Sequence, residues 1–501
     1  MRLRIPLAAA SFSLLALVVS GAGAGQVTST ARVARTPVLN VHWVAERASS
    51  THPPDSALAV GPSDLIDGSN AGVWRYTKAG RLEGSSQTLS QFFSSAGIPS
   101  AYIPGKCCVD VRAMWDGALQ RFWFTAMGGT CSSCTDVLTG HKGTSYVFVA
   151  LSDTASAAGG WHALALDETI NSNHAHEPYW CDFDQLGMNA LTIFLSCDMF
   201  PFAASEDSPD EATSGVFSRV RMISKSEFTD RRCGAEPCSW WDLEHPTDAN
   251  GQLSFAIAPA RMTDTGTGYE YMLDAERGTA SSLTVRKISD VDLCCDGNPS
   301  TRPTVTKFFV SVRPFQQPPT ASQKGSGTKL DVGDAKIHSV FYYNGYLYGV
   351  QTVRCPRTSL SCVRVYAFDV RGPTPILVRS RPNWVVGSKS VSDYYPALAP
   401  STSGRMTLVF GQSGPAEYPR VDFAGVSPPT SGGCPCFEGQ GVLVAGSSPY
   451  THLAAIHPRA TLGDYFTAAI DPDFRHVWIR GNLGPTKPGT DWTSVIGETQ
   501  P

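Results

Sequence analysis

The chain has 501 residues, of which 42% are hydrophobic and 17% are charged, and its formal net charge at pH 7 is -4. That hydrophobic content is sufficient for a large core, whereas the net charge excludes the strongly basic surface of proteins that bind nucleic acid or anionic lipid. Average proteins contain about 25% charged residues, so the low charged fraction, together with 46 glycines and 35 prolines, favours strands and turns over helices.

The N-terminus has the organisation of an export signal. A basic start precedes an apolar run from Ile5 to Val19, and small residues follow as far as Ala24. This pattern predicts a secretory signal peptide over residues 1–24 and a flexible leader over residues 25–37. An N-terminal membrane anchor is the alternative, but the run is short for a span of about 20 residues. We therefore expect a secreted, extracellular protein without a transmembrane span.

The 14 cysteines fit that compartment, because an even number in an exported chain is most simply a set of disulfides. Their spacing predicts local pairs, which are Cys131 with Cys134, Cys181 with Cys197, Cys233 with Cys238, Cys355 with Cys362, and Cys434 with Cys436. A zinc site at Cys131 and Cys134 is the alternative. Since no second pair has the usual finger spacing, we expect a disulfide there and no metal.

In chain order, the first predicted strand is Val38–Val44. Its partner is expected far away, because ring-shaped β folds often close by pairing the first strand with the last hairpin. A unit made of a strand, a polar turn and a second strand then recurs along the chain, and each copy starts with an aspartate. The copies begin at Asp55, Asp110, Asp182, Asp393 and Asp464. Self-similar hairpins over a whole chain indicate a radial array or a solenoid.

Other elements lie between these hairpins. Thr88–Phe93 has a candidate N-cap and predicts a short helix, whereas Leu253–Ala258 predicts a strand. Pro314–Gly327 is rich in Pro, Gln, Ser and Gly, which predicts a mobile connector. Asn344-Gly345 is the dipeptide most typical of a tight β-hairpin turn.

Short strands in repeated sets of four predict an all-β fold, namely a single β-propeller over residues 38–501 with disulfide-stapled loops. Seven blades result if the first strand completes a blade with the last hairpin, and six or eight blades remain open. The rival architecture is a pair of β-sandwiches. That architecture would not require the same hairpin along the whole chain.

An ordered set of short motifs carries a resemblance to a known family. The motifs are Leu58-Ala-Val-Gly-Pro-Ser-Asp64, Trp115-Asp-Gly-Ala-Leu-Gln-Arg-Phe-Trp123, Gln185-Leu-Gly187, Asp393-Tyr-Tyr-Pro-Ala-Leu-Ala399, Leu462-Gly-Asp-Tyr465 and Ile496-Gly-Glu498. The set resembles a family of exported, mostly bacterial β-propeller proteins, largely of unassigned function. The turns that begin at Ser401 and Asp471 also look like degenerate aspartate-box hairpins of sialidase-like propellers, which are structural elements in that family.

In a propeller the innermost strand of each blade lines the central channel, so residues that open equivalent strands gather at one end of it. The predicted ligand-binding residues at this mouth are Asp55, Asp110, Arg112, Trp180, Asp182, Tyr394, Tyr395 and Tyr465, with Asp393 and Asp464 as candidate catalytic acids. Carboxylates that accept hydroxyl hydrogen bonds and aromatic faces that stack on sugar suit a polyhydroxylated ligand, or a cation. The alternative is that each aspartate caps a blade corner by accepting backbone hydrogen bonds.

Histidines supply further candidates. His176 could act as a base with Tyr179 as acid in β-elimination of a uronic polysaccharide, and it could bind a metal together with His174. No third ligand is identifiable, so a surface loop is favoured there. His338 opens a predicted first strand and is a second candidate base, with a packed histidine as the alternative.

No cofactor is expected, because the chain has no phosphate-binding glycine loop, no dinucleotide fingerprint and no zincin helix. A structural calcium stays possible, since Val291–Asn298 has oxygen-bearing residues, although they lack the EF-hand spacing.

The leading functional hypothesis is therefore a secreted, monomeric β-propeller that binds an extracellular glycan or another surface ligand at the channel mouth. The alternative is a polysaccharide-degrading enzyme, either a glycoside hydrolase with paired carboxylates or a lyase that uses His and Tyr. A third hypothesis is a scaffold that binds protein partners. The sequence leaves open whether the protein is an enzyme.

Overall fold

The first strand pairs with the last, as the sequence predicts. In the computed structural model, β1 (Val38–Ala48) runs antiparallel to β31 (Trp492–Gln500), with Val38 opposite Gln500 and Ala48 opposite Trp492. The remaining strands of this sheet are β29 (Thr467–Ile470) and β30 (Val477–Leu483). One sheet is thus built from the two ends of the folded chain.

The structure describes residues 35–501, which form one compact unit, apart from several short segments. These segments are 49–50, 104–107, 130–142, 203–215, 232–233, 235–236, 238, 263–267, 277–279, 292–301, 379–384, 388–389, 430–435 and 454–458. The predicted signal peptide, most of the predicted leader, nearly all of the calcium-like segment and Cys131, Cys134, Cys233, Cys238 and Cys434 lie outside the described residues. No helix among the residues described is long and apolar enough to cross a membrane.

The first half of the chain forms further antiparallel sets of strands. They are β2 (Ala57–Val60), β3 (Asp64–Ser69) and β4 (Gly72–Thr77); β5 (Val109–Asp116), β6 (Arg121–Gly129), β7 (Ser145–Ser152) and β8 (Trp161–Asp167); and β9 (Tyr179–Met188), β10 (Thr192–Pro201), β11 (Phe217–Ser224) and β12 (Trp241–Leu243). Two short α-helices, α1 (Leu89–Ser95) and α2 (Lys225–Thr229), and a 3-10 turn over Ser100–Tyr102 accompany them. The predicted N-cap is confirmed, since Thr88 and Gln91 form a capping box at the start of α1.

The second half follows the same plan. Its strands are β13 (Ala258–Pro259), β14 (Arg261–Met262), β15 (Tyr269–Ala275), β16 (Ala280–Ser289) and β17 (Thr304–Phe315); β18 (Ala321–Gln323) and β19 (Ser326–Leu330); β20 (Ile337–Tyr343), β21 (Tyr346–Arg354), β22 (Ser361–Asp369), β23 (Ile376–Leu377) and β24 (Val385–Val386); and β25 (Ser392–Pro400), β26 (Met406–Gly414), β27 (Glu417–Val426) and β28 (Phe437–Val444). The predicted Asn344-Gly345 turn joins β20 to β21 with φ of 49° and 77°, as a tight hairpin with left-handed central residues requires.

The first strands of these sets make a closed ring. Each of β2, β5, β9, β13, β20, β25 and β29 contacts the next, and β29 contacts β2. Such strands are packed by neighbours on both faces, and every residue of β2 and β25 is buried. A closed ring of first strands is a β-propeller, so the sandwich alternative is wrong. The number of blades stays a prediction, because the short β14 joins β9 to β20 and makes one sheet of ten strands.

The recurring hairpin has a recurring internal bond. Trp123 Nε1 donates to Asp116 Oδ2 at 3.1 Å, and Trp478 Nε1 donates to Asp471 Oδ2 at 2.9 Å. The other oxygen of Asp116 accepts from the turn backbone at Ala118, 3.0 Å away. In these two hairpins an aspartate at the start of the turn thus holds a buried tryptophan of the following strand, so Asp116 and Asp471 are structural.

Two predictions for the connecting segments are wrong. Leu253–Ala258 forms only an isolated bridge at Leu253 and enters a strand at Ala258. The predicted mobile connector Pro314–Gly327 contains the end of β17 and most of the β18–β19 hairpin. Its Gln323 is buried and bonds both backbone groups of Tyr450, at 2.6 and 2.8 Å, so a tertiary contact overrides the flexible composition.

The disulfides that can be compared agree with the predictions. Cys181 is bonded to Cys197 and Cys355 to Cys362. Cys108 and Cys436 are also disulfide-bonded. The first bond joins the adjacent strands β9 and β10, and the second closes the loop between β21 and β22.

Replacement of Trp43 tests the closure by β1. Its ring lies 5.7 Å from that of Tyr76 and 5.8 Å from that of Trp478, which bridges the first and last blades. We expect Trp43→Ala to lower the free energy of unfolding by about 3 kcal/mol, because a large aromatic side chain is lost from a packed site. His42→Ala, at an exposed position of the same strand, is the control for urea denaturation. Equal midpoints for the two variants would contradict a role for β1 in closure.

Candidate functional site at the channel mouth

The first strands start with a shared backbone irregularity. Asp110, Phe183 and Tyr395 have φ of 52°, 51° and 52°, and the strand pairing shifts register beside Asp110 and beside Tyr395. Left-handed residues of this kind accompany β-bulges, which redirect side chains. Asp110 is therefore equivalent to Phe183 and Tyr395, whereas Asp182 and Asp393 stand one and two positions earlier. The predicted aspartates do not share one register.

Side chains of a neighbouring blade hold these starts. The backbone N–H of Asp110 donates to Asn70 Oδ1 at 2.8 Å, and that of Tyr395 donates to Thr352 Oγ1 at 3.3 Å. Asp198 Oδ1 accepts from the backbone N–H of Ala256 at 2.7 Å in the same way. Hydrogen bonds between blades thus hold the left-handed residues in place. They also fix the positions of the side chains at the starts of the first strands.

Four of the predicted acids come together, and we refer to Asp55, Asp110, Asp182 and Asp464 as the carboxyl cluster. The backbone N–H of Asp464 donates to Asp55 Oδ1 at 2.9 Å. Burial and then the charge of Asp110 raise the pKa of Asp55 to about 8. Burial and then the charges of Asp182 and Asp464 raise the pKa of Asp110 to about 8. Residues far apart in sequence therefore share one electrostatic environment.

Asp182 is partly exposed at the edge of the cluster. Burial raises its pKa to about 7, and Lys336 opposes that rise. At neutral pH the cluster thus contains carboxylic acids as well as carboxylates. Protonated carboxyls donate hydrogen bonds and ionised ones accept them, so the cluster offers both kinds of partner to a hydroxyl group.

Lys336 places a positive charge among these acids. Burial alone would lower the pKa of Lys336. The carboxyls around it, first those of Asp334 and Asp464, outweigh the effect of burial and raise the pKa. Its Nζ lies 3.5 Å from the ring centroid of Phe183. An inorganic cation would have to compete with this ammonium group, which disfavours the cation alternative.

Arg112 is the second cation at the mouth. Its Cζ lies 3.2 Å from the ring centroid of Tyr465, and its Nε donates to the backbone oxygen of Asp184 at 2.7 Å. Its Nη2 is buried and has no hydrogen-bond partner among the residues the structure describes. The guanidinium group therefore retains a donor.

The predicted aromatic residues lie beneath the mouth rather than on its surface. Tyr465 is buried and donates to the backbone oxygen of Val111 at 3.0 Å, and Tyr395 is buried and donates to that of Asp331 at 3.1 Å. Tyr394 is also buried. Trp180 is partly exposed and stacks on Phe200, with ring centroids 5.2 Å apart. The three tyrosines therefore support the mouth from within the core, whereas Trp180 remains partly accessible to solvent.

Asp393 lies apart from the carboxyl cluster. Gln412 Nε2 donates to its Oδ1 at 2.7 Å, and its charged neighbours are Asp422 and Arg420 of the same blade. Burial raises the pKa of Asp393 to about 7. The bulge at Tyr395 explains the difference, because it puts Asp393 two positions before the residue that corresponds to Asp110.

The candidate histidines lie in different environments, His338 in the core and His176 at the surface. His338 is buried, with Nε2 3.2 Å from Thr352 Oγ1, and burial, Lys336 and Arg112 lower its pKa well below the usual value. It is therefore a neutral imidazole near the mouth. His176 is exposed in the loop before β9, and the nearby Tyr179 packs against Phe217, with ring centroids 5.2 Å apart.

Little free space lies beside His338 and Arg112. The cavity beside Arg112, Arg261 and His338 has a volume of about 20 Å³, which is room for about one water molecule. Burial and then the charge of Arg112 lower the pKa of Arg261 to about 10. A ligand larger than a water molecule therefore does not fit into the cavity beside His338.

A larger groove lies on the same end of the propeller. Its volume is about 1280 Å³, and its lining includes Arg354, Arg357, Arg364 and Glu417. The loop that follows β21 and the turn that follows β26 supply much of this lining, and both are next to the starts of β20 and β25 in the strand pairing. The guanidinium-bearing residues Arg354 and Arg357 are exposed.

Four polar residues of the mouth are not among those predicted from the sequence, namely Asn70, Asp184, Asp198 and Lys336. Lys336 directly precedes β20, near the position where other units carry an acid, so the repeat itself could have located it. Asp184 follows Asp182 at the period of a strand. Asn70 and Asp198 lie outside the starts of the first strands and gave no such signal.

Solved structures with a similar arrangement include sialidases. The Trypanosoma rangeli sialidase in complex with the inhibitor DANA has 10% sequence identity and a TM-score of 0.38, over 92% of this chain and 60% of that chain. The Hadza microbial sialidase Hz136 has 9% identity and a TM-score of 0.37, over 87% of this chain and 73% of that chain.

A protein of unknown function from Dyadobacter fermentans DSM 18053 has 11% identity and a TM-score of 0.37, over 93% of this chain and 100% of that chain. The match to the trypanosomal sialidase covers 60% of that chain, so this chain spans less than two thirds of its length. No protein-family model and no curated protein matches the sequence. At these identities and TM-scores the likeness carries no information on ligand or reaction.

Asp110→Asn tests the electrostatics of the cluster. The folded-state pKa of about 8 exceeds an unfolded value of about 3.9, so the stability from this group is complete below the unfolded pKa and is lost as pH rises through 8. Asparagine mimics the protonated acid and tolerates a left-handed backbone. We expect the variant to gain stability over the natural protein as pH rises from 5 to 8, by at least about 1.4 kcal/mol, which corresponds to one pKa unit.

Thermal and chemical denaturation at several pH values would measure this gain. Asp290→Asn is the matched control, because Asp290 has φ of 58° but is exposed. A gain for Asp110→Asn that does not change with pH, or that equals the control, would contradict the raised pKa.

Proposed function

We propose that the protein is exported and binds an extracellular glycan, or another polyhydroxylated surface ligand, at the channel mouth. One observation carries the proposal: the carboxyl groups of the cluster gather there beside Lys336 and Arg112, and burial raises the pKa of Asp55, Asp110 and Asp182 to about 7 to 8. Vicinal hydroxyls of a sugar both donate and accept hydrogen bonds, which matches a site that holds acids in both protonation states. The disulfides are consistent with an oxidising compartment.

The groove on the same end of the propeller would extend this site. Its volume of about 1280 Å³ exceeds that of a typical small-molecule pocket, about 300–1000 Å³, so it suits an extended chain. Arginine matches carboxylate and sulfate groups through its forked donors. Exposed Arg354 and Arg357 therefore favour acidic glycans over neutral ones.

Glycoside hydrolysis is a second candidate function. It needs one carboxylic acid that remains protonated near neutral pH and a second carboxyl group that is ionised. Asp110, with its raised pKa, would be the acid, and Asp182 or Asp464 would be the base or nucleophile. A lyase that uses His338 as base is disfavoured, because His338 is buried beside a cavity of only about 20 Å³.

Binding to a panel of neutral, uronic and sulfated polysaccharides tests the proposal. We expect an acidic polysaccharide to bind, and Lys336→Met and Asp182→Ala each to weaken binding at least about tenfold, because the first removes a charge opposite to that of the ligand and the second removes a hydrogen-bonding side chain. Microscale thermophoresis with the full-length protein would give Kd, and circular dichroism would show that the variants are folded.

Arg371→Ala is the matched control for loss of a cation, because Arg371 is exposed and follows β22, at the opposite end of the blade from the groove. Reducing ends and absorbance of unsaturated uronate, measured in the same mixtures, would identify a hydrolase or a lyase. Absence of binding to every polysaccharide, or equal affinities for all the variants, would refute the proposed site.

A further inference from the structure

A group of metal-ligating side chains lies away from the channel mouth. His52 precedes β2, His452 lies between β28 and β29, and Asp491 immediately precedes β31. One ligand atom from each of them lies within 4.8 Å of the others. This group could not be predicted from the sequence, because its members come from distant parts of the chain.

His52 is oriented through both of its ring nitrogens. Its Nδ1 lies 2.9 Å from the hydroxyl of Tyr450, and its Nε2 lies 3.2 Å from Asp491 Oδ2. The ring of His452 stacks on that of His52, with centroids 3.4 Å apart and planes inclined by 12°. A histidine that ligates a metal through one nitrogen is usually oriented by a hydrogen bond at the other, as Tyr450 provides here.

The scaffold of this group is rigid. Tyr450 is buried, and its backbone is bonded on both sides by Gln323. The backbone N–H of Asp491 donates to the oxygen of Ala48 at 2.9 Å, and Trp492 Nε1 donates to the oxygen of Thr51 at 2.8 Å. His452, in contrast, is exposed, so the group can be reached from solvent.

We propose that His52, His452 and Asp491 bind a divalent transition-metal ion. Two imidazole nitrogens and one carboxylate oxygen are ligands typical of Zn²⁺, with a fourth position left for water or for another donor. The bound ion cross-links the segments before β2 and β31 to the segment before β29. It therefore reinforces the closure of the propeller.

Titration of the full-length, chelator-treated protein with Zn²⁺ tests the site. We expect calorimetry to show one equivalent bound, and Co²⁺ to give the absorption of a low-coordinate complex. His452→Ala should weaken Zn²⁺ binding at least about tenfold, because a ligand is lost. Tyr450→Phe should weaken it by about tenfold while the stoichiometry is retained, because only the orienting hydrogen bond is lost.

His42→Ala is the control, since His42 is an exposed histidine on β1. Zn²⁺ should raise the Tm of the natural protein and of the control, but not that of His452→Ala. Because His452 is exposed, its replacement by alanine should leave the fold intact, so a change in the isotherm would report on the metal site itself. No binding of Zn²⁺ or Co²⁺, or an unchanged isotherm for His452→Ala, would overturn the proposal, whatever the result with polysaccharides.

Discussion

Arg480 forms the interaction that joins the two ends of the propeller. Its side chain is completely buried, and it pairs with Asp67 of β3 and, at 3.5 Å, with Glu46 of β1. It also donates to Ser56 Oγ, just before β2. A buried ion cluster costs desolvation, but loss of one partner leaves unpaired charges and typically costs about 3–5 kcal/mol. The ring is thus closed by side chains as well as by the β1–β31 backbone pairing.

The carboxyl cluster depends on that closure. Asp55 lies at the start of the ring and Asp464 near its end, and the two meet only because the last blade returns to the first. Concentrating acids at the mouth raises their pKa and so costs stability at neutral pH. The fold tolerates this cost, together with left-handed residues such as Asp110, at the point where a ligand would be recognised.

Much of the fold could be predicted because each repeated hairpin is specified by residues that are close together in the sequence. Period-two strands, the Asn344-Gly345 turn and the aspartate at each turn depend on neighbouring residues, and ring closure follows from the architecture. The convergence of Asp55, Asp110, Asp182 and Asp464 could be predicted for the same reason. The position of Asp393 could not be predicted, because a β-bulge shifts the register of its strand by an amount that the sequence does not show. The structure of Pro314–Gly327 could not be predicted either, because it depends on the hydrogen bond between Gln323 and the distant Tyr450.

The pairing of β1 with β31 has a consequence for how the protein is made. Val38 finds its partner only when the ribosome has reached Gln500, so the ring cannot close on a growing chain. Contacts of such high sequence separation slow folding, since a long loop must be ordered first. Blades built from adjacent hairpins can form early, whereas the final sheet must wait. Until the last strand has been made, the chain can therefore form only an open set of blades in which β1 has no partner strand.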